Sequence, residues 1–160
     1  MKISQLANAI YSPPWVAELL QYFLSGAQSV KSEGIKLELI YMVLPFIFDK
    51  VTRDRLITSN VRSNINKIFF NKTSLELKNA LIDKNSQYLK FKDITRRGLI
   101  YLGNYSKIKI GKYISVSKPL KYKNIADSKK DYIKAAYYLG IIMAKEEYLN
   151  VFLKFRITNL

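Results

Sequence analysis

Apolar positions recur at helical spacing along most of the chain. After Ser12-Pro13-Pro14, residues Trp15, Val16, Leu19, Leu20, Phe23 and Leu24 fall on one stripe, the signature of an amphipathic helix. Ser is favoured at the N-cap, and Pro is tolerated in the first turn because its missing N–H has no helical partner there. The pattern predicts a helix that begins at these prolines and ends near Gly34, a natural stop. Residues 35–48 are apolar on nearly every side, with Lys36 and Glu38 the only early charges. Such a segment is buried. Pro45 would remove a ladder donor from a central strand, so a helix kinked or ended near Pro45 is the better expectation.

Shorter elements follow. Thr52 is a candidate N-cap for a helix over Arg53–Thr58, and Ser59-Asn60 for one that puts Val61, Ile65, Ile68 and Phe69 on a single face. Thr73-Ser74-Leu75-Glu76 has the form of a capping box and predicts a helix through Asp83. Asp93-Ile94-Thr95 opens another, through Leu102, with Gly103-Asn104 as its end. Residues 107–110 and 112–116 alternate around Gly111, which predicts a β-hairpin. Period two places Lys107 and Lys109 on one face and Ile108 and Ile110 on the other. Asp127–Lys145 is a helical pattern with Ile133, Ala136, Tyr137, Gly140 and Ile141 inward, and residues 146–157 continue as helix or apolar tail. The expected fold class is mainly α with a small β-hairpin: one compact helical domain over residues 1–160. The order helix, helix, hairpin in its middle is that of a winged-helix-like element.

Composition narrows the chemistry. The 160 residues contain no His and no Cys. That excludes disulfides, thiol nucleophiles, imidazole bases and His- or Cys-ligated zinc. No Walker A loop and no G-x-G-x-x-G run is present. Asp127 with Asp131, and Glu146 with Glu147, are the acid pairs that suggest a metal. The first is a helix-start pair that complements the dipole; the second diverges on a helix. No catalytic residue, metal or cofactor is expected, and no small-molecule substrate. Met1–Ser12 has one Lys and no apolar run of signal-peptide length. The most apolar stretch, Leu39–Phe48, is about half of the ~20 residues that span a bilayer. The expected location is cytoplasmic, away from membranes.

Charge is the strongest signal. There are 27 Lys and Arg against 12 Asp and Glu, a net charge of +15. Residues 1–60 are near neutral and apolar, the expected protein-binding part, whereas residues 61–160 hold nearly all the excess. Between Ile94 and Ala126 there is no acid. That window carries Arg96, Arg97, Lys107, Lys109, Lys112, Lys118, Lys121 and Lys123, interleaved with Tyr101, Tyr105, Tyr113 and Tyr122. Like charges this dense repel unless a partner neutralises them, so these eight cations are the nucleic-acid-binding candidates. A proteome rich in Lys, Asn, Ile and Tyr would give part of the same composition. Asp49, Arg53, Asp54 and Arg55 form a further charged cluster, either a surface cap or a partner or nucleotide contact.

Three blocks carry a family resemblance. Ser12-Pro13-Pro14-Trp15-Val16-Ala17-Glu18-Leu19-Leu20 is similar to the Asn-Pro-Ala-type opening of a group of small bacterial proteins. Residues 39–53, with Leu44-Pro45 and Thr52-Arg53, resemble that group's Leu-rich block, and Thr95-Arg96-Arg97-Gly98-Leu99 with the hairpin follows in the same order. Asp49 stands where a His is common, and Ser12 where an Asn is common. The group is the middle component of three-component ABC ATPase (ABC-3C) systems, related to the small third subunit of Lamassu-type anti-phage and anti-plasmid defence systems. The resemblance implies a non-catalytic adaptor that bridges an SMC/Rad50-like ABC ATPase and an effector such as a nuclease, with DNA met directly or through the complex. Trp15, Phe23, Arg53, Arg55, Phe152 and Phe155 are the partner-binding candidates. The alternative is a free-standing winged-helix DNA-binding regulator.

Overall fold

The computed structural model describes residue 5 and residues 9–123, 125 and 127–158; the reading of Met1–Ser12 lies largely outside them. The described residues are mainly helical with a small two-stranded antiparallel hairpin. In order it forms α1 (Pro13–Gln28), a 3-10 turn (Leu37–Met42), α2 (Val43–Ile47), α3 (Lys50–Ile57), a π-helical turn (Asn66–Phe70), α4 (Leu75–Ile82), α5 (Lys84–Lys90) and α6 (Lys92–Tyr105). Strands β1 (Ile108–Ile110) and β2 (Ile114–Val116) follow, then α7 (Asp127–Ala144) and α8 (Tyr148–Lys154).

Helix α1 is the axis. Its stripe of Val16, Leu19, Leu20, Phe23 and Leu24 is fully buried, and it packs on α7, α6 and β2. Close approach is made possible by small residues. A Cβ on Gly26 would strike the Tyr137 carbonyl of α7, one on Gly140 the Phe23 carbonyl of α1, and one on Gly98 of α6 the Val16 side chain. A single hydrophobic cluster runs from Val16 to Ile157 and takes in the whole apolar run, including Leu39, Ile40, Met42, Val43, Leu44, Phe46 and Ile47.

The helix that opens at Ser12-Pro13-Pro14 ends at Gln28, six residues before Gly34. Gly34 serves a different purpose. Its φ of 101° turns the chain so that Ile35 adds beside β2, with Ile35 N–H donating to the Ile114 carbonyl at 3.1 Å and Ile114 N–H to Ile35 at 2.7 Å. A Cβ at Gly34 would meet that same Ile114 carbonyl. Gln28 anchors the other end of β2. Its amide donates to the Val116 carbonyl at 3.0 Å and accepts from Val116 N–H at 2.8 Å. The hairpin register pairs Ile108 with Val116 and Ile110 with Ile114. Helices α5 and α6 do precede the hairpin in sequence, but β2 is buried against α1 and Ile35, an attachment that the order of elements does not reveal.

Other boundaries differ from the pattern for local reasons. Asp49 caps α3, accepting from Val51 N–H at 2.9 Å and Thr52 N–H at 3.3 Å. Thr52 is instead inside that helix, buried, donating to the Phe46 carbonyl at 2.7 Å. Ser74 rather than Thr73 caps α4, accepting from Leu77 N–H at 3.1 Å. The face predicted through Val61 is broken: Val61 is exposed and regular helix is replaced by the π-helical turn. Helix α6 runs through Gly103-Asn104 to Tyr105. A Cβ on Gly103 would make only ordinary contact, 3.6 Å from Ile108 Cδ1. Gly103→Ala should therefore stabilise the fold by about 0.5–1 kcal/mol through helix propensity, measured as a rise in the urea midpoint.

Candidate functional site

Two regions bear chemistry. The first is the run of exposed cations carried by α6, the hairpin and the loop after it. Arg96, Arg97, Lys107, Lys109, Lys112, Lys118, Lys121 and Lys123 are all exposed. Arg96 pairs with Asp93 at 3.1 Å, between two exposed side chains, which is weak in water. Among the described residues the other seven have no ion-pair partner. Lys112 lies over the Tyr113 ring at 5.6 Å. Ile110, expected on the inner face of the hairpin, is exposed, so only Ile108 of β1 reaches the core's edge.

Helix α6 contributes a stripe that charge counting alone misses. Arg97, Tyr101 and Tyr105 recur every four residues, and both tyrosines are exposed, edge to face at 5.6 Å. The Tyr105 hydroxyl donates to Gln21 of α1 at 3.2 Å. Its pKa is raised above 10.0, first by burial and then by Glu18. A second tyrosine group, Tyr122, Tyr137 and Tyr138, packs the basic loop onto α7 with ring centroids 5.7–6.2 Å apart. Burial raises the pKa of Tyr122 and Tyr138 as well. The rings offer flat apolar faces beside the cations.

The second region is the node around Asp49. Lys84 of α5 is wholly buried, yet its ammonium is satisfied: it donates to the Pro45 carbonyl at 2.7 Å, Gln87 Oε1 at 2.9 Å and Asp49 Oδ2 at 3.1 Å. Burial lowers its pKa, against the opposing pull of Asp49. Arg53 donates to the Ile47 carbonyl at 2.8 Å and stacks over Tyr132 of α7 at 4.3 Å. Arg55 donates to the Ile68 carbonyl at 2.9 Å. Both arginines thus serve backbone carbonyls of their own fold. Lys84 gives no signal in the sequence, where it is one more Lys in a Lys-rich chain.

The aromatic candidates are mostly interior. Phe23 is 0% exposed, and Phe152 and Phe155 are each 3% exposed; an apolar helix stripe is spent first on the core. Phe155 meets Phe46, Phe69 and Phe70. Trp15 is half-buried between Tyr132, edge-on at 5.9 Å, and Lys129 at 5.2 Å, and Lys129 is itself paired with Glu18 at 3.0 Å. The exposed apolar side chains lie elsewhere, among them Leu75, Ile82 and Leu153.

A family model for the ABC-three component (ABC-3C) system Middle Component 3 matches residues 1–158. The chain belongs to that family. No curated protein and no solved structure matches it. Among the described residues of this Middle Component 3 chain, no group of three or more His, Cys, Asp or Glu could hold a metal ion, and no helix is long and apolar enough to cross a membrane. The node lies within the block that carries the resemblance. In that block Pro45 supplies a carbonyl to Lys84, Thr52 ties α3 back to Phe46, and Arg53 closes the last turn of α2. Asp49 is the acidic member of this node. Its carboxylate matches a buried ammonium, supplying both an acceptor and an opposite charge.

Proposed function

We propose that this Middle Component 3 chain is the non-catalytic adaptor of its three-component system. It sits between an SMC/Rad50-like ABC ATPase and an effector such as a nuclease, in a bacterial anti-phage or anti-plasmid defence complex. It contacts DNA through α6 and the hairpin, in the manner of a winged helix. Family membership supports the assembly. The observation that carries the DNA contact is the exposure of eight cations over an acid-free window, seven of them without an ion-pair partner among the described residues. Cations so placed suit phosphates, with the Tyr101–Tyr105 stripe beside them for sugar and base faces.

The test has two steps. Tagged chain is co-expressed with the other two components, and the expected result is a stoichiometric complex containing the ATPase. DNA binding by that complex is then titrated against salt, with and without Arg96→Glu, Arg97→Glu, Lys107→Glu and Lys109→Glu. Each phosphate left without its cation should lower the log–log salt slope by about 0.9, and the fourfold variant should lose most of its affinity while the complex still assembles. A chain that purifies alone, self-associates and binds DNA by itself would point to the free-standing regulator instead.

A further inference from the structure

A groove of about 470 Å³ opens between α4, the π-helical turn and the end of α8. Phe70, Leu81, Ile82 and Phe155 give it an apolar floor, and Lys78, Lys154 and Arg156 are its charged lining, with no acid among them. Large apolar side chains lie in and around it. Ile82 is 69% exposed; Leu75, on the same stripe of α4, is 74% exposed; and Leu153, at the end of α8, is 75% exposed. Apolar surface of this kind, rimmed by polar groups, marks an interaction site.

The backbone around the groove is strained. Among the described residues, only Lys72 and Arg156 combine a side chain with positive φ, at 50° and 54°. Arg156 lines the groove, and Lys72 stands between Phe70 and Thr73, which line it too. Arg156 closes α8 in a Schellman turn, with Ile157 N–H donating to Phe152 at 2.9 Å and Arg156 N–H to Leu153 at 3.2 Å. That position favours Gly, because an L side chain is strained there. A long cation is held where the fold alone would be better served by no side chain. Strain of this sort collects at binding sites.

We propose that this groove receives an acidic amphipathic helix from one of the other two components of the system. The proposal rests on the subunit reading above and assigns it a docking surface. Apolar anchors at i, i+3 and i+7 would seat on the floor, and carboxylates would meet Lys78 and Arg156, which have no ion-pair partner among the described residues; Lys154 is already tied to Glu146 at 3.1 Å. The charge argues against two other occupants. A second copy of this chain, net +15, would bring basic rim against basic rim. A nucleic acid would meet the cations but leave the apolar floor unused.

The experiment uses the three components together. Affinity for the partner is measured for the wild-type chain, Ile82→Asp and Arg156→Gly, alongside each variant's unfolding midpoint. Ile82→Asp should weaken assembly by at least about tenfold with the midpoint little changed. Arg156→Gly should weaken assembly while raising the midpoint, a split that a purely structural role for Arg156 does not produce. Zero-length amine–carboxylate coupling should join Lys78 to an Asp or Glu of the partner. Assembly unaffected by both variants overturns the proposal and leaves the subunit reading intact. So does a wild-type homodimer that Ile82→Asp disperses, or coupling that never reaches Lys78 in the assembled complex. Failure of the wild-type chain to assemble at all overturns both readings.

Discussion

Asp49→Ala should cost about 3–5 kcal/mol of stability, the usual loss when one member of a buried ion pair is removed and its partner is left charged in the interior. The Lys84 ammonium is fully buried, whereas the Asp49 side chain keeps some access to solvent. The variant therefore strands the group that solvent cannot reach. It also removes the cap of α3, where the same carboxylate accepts two backbone N–H bonds, worth about 1 kcal/mol more. Against a total stability of about 5–15 kcal/mol, much of the folded population is at stake. Lys84→Met should be milder, about 1–3 kcal/mol, since it leaves carbonyl acceptors short of a donor but no buried charge. The double variant Asp49→Ala, Lys84→Met should be more stable than Asp49→Ala alone. Urea midpoints of the four proteins form the cycle that checks this. Additive losses would mean that the pair is not coupled.

The same node gives stability a pH dependence whose sign follows from linkage. Burial lowers the folded-state pKa of Lys84 below its ordinary 10.5. The unfolded chain then binds more protons at that group between the two values, so stability rises with pH across that interval. The tyrosines act in the opposite sense. Tyr22, Tyr88, Tyr105, Tyr122 and Tyr138 are all raised above 10.0, chiefly by burial. Their contribution is complete below 10.0 and is lost as pH climbs through the raised folded values. Denaturation followed upward in pH should show a Lys84 gain confined to the interval below 10.5, opposed by a tyrosine loss that begins at about 10. Lys84→Met should remove the gain and keep the loss.

What the sequence discloses and what it withholds divide along one physical line. Periodicity reports which residues are apolar on one face, so α1, α7 and the burial of residues 35–48 are readable from it. It does not report what a polar residue is bonded to. Asp49, Arg53, Asp54 and Arg55 read as a surface cap or a partner contact, whereas three of the four close backbone carbonyls or a helix end of their own fold. Lys84 is invisible because its meaning lies in a partner 35 residues away. The eight cations are exposed, since nothing but solvent or a partner can neutralise so many. The aromatic candidates fare differently. Phe23, Phe152 and Phe155 are apolar enough for an interface and are used for the core, while the apolar side chains left outside include Leu75 and Ile82 on the short α4 and Leu153 on the short α8.

Gly140→Ala should destabilise the fold by about 3 kcal/mol, at the upper end for an overpacked contact. The added methyl would strike the Phe23 carbonyl and crowd Ala27 N on α1. Those are backbone atoms of a neighbouring helix and cannot rotate away. Helix propensity returns only about 1 kcal/mol. Gly26→Ala makes the reciprocal collision with Tyr137 of α7 and should cost a similar amount. The two substitutions together should cost less than their sum, because helices already forced apart by one methyl have room for the second. The consequence reaches the candidate DNA face. Helix α1 also carries Val16 against Gly98 of α6, Gln21 bonded to Tyr105, and Gln28 bonded to β2. A displaced α1 shifts α6 and the hairpin together, so Gly140→Ala should weaken DNA binding without touching a charge or changing the salt slope. Gly103→Ala, which adds the same methyl on the exposed side of α6, should do neither. Equal effects of the two substitutions would mean that the α1–α7 crossing does not position that face.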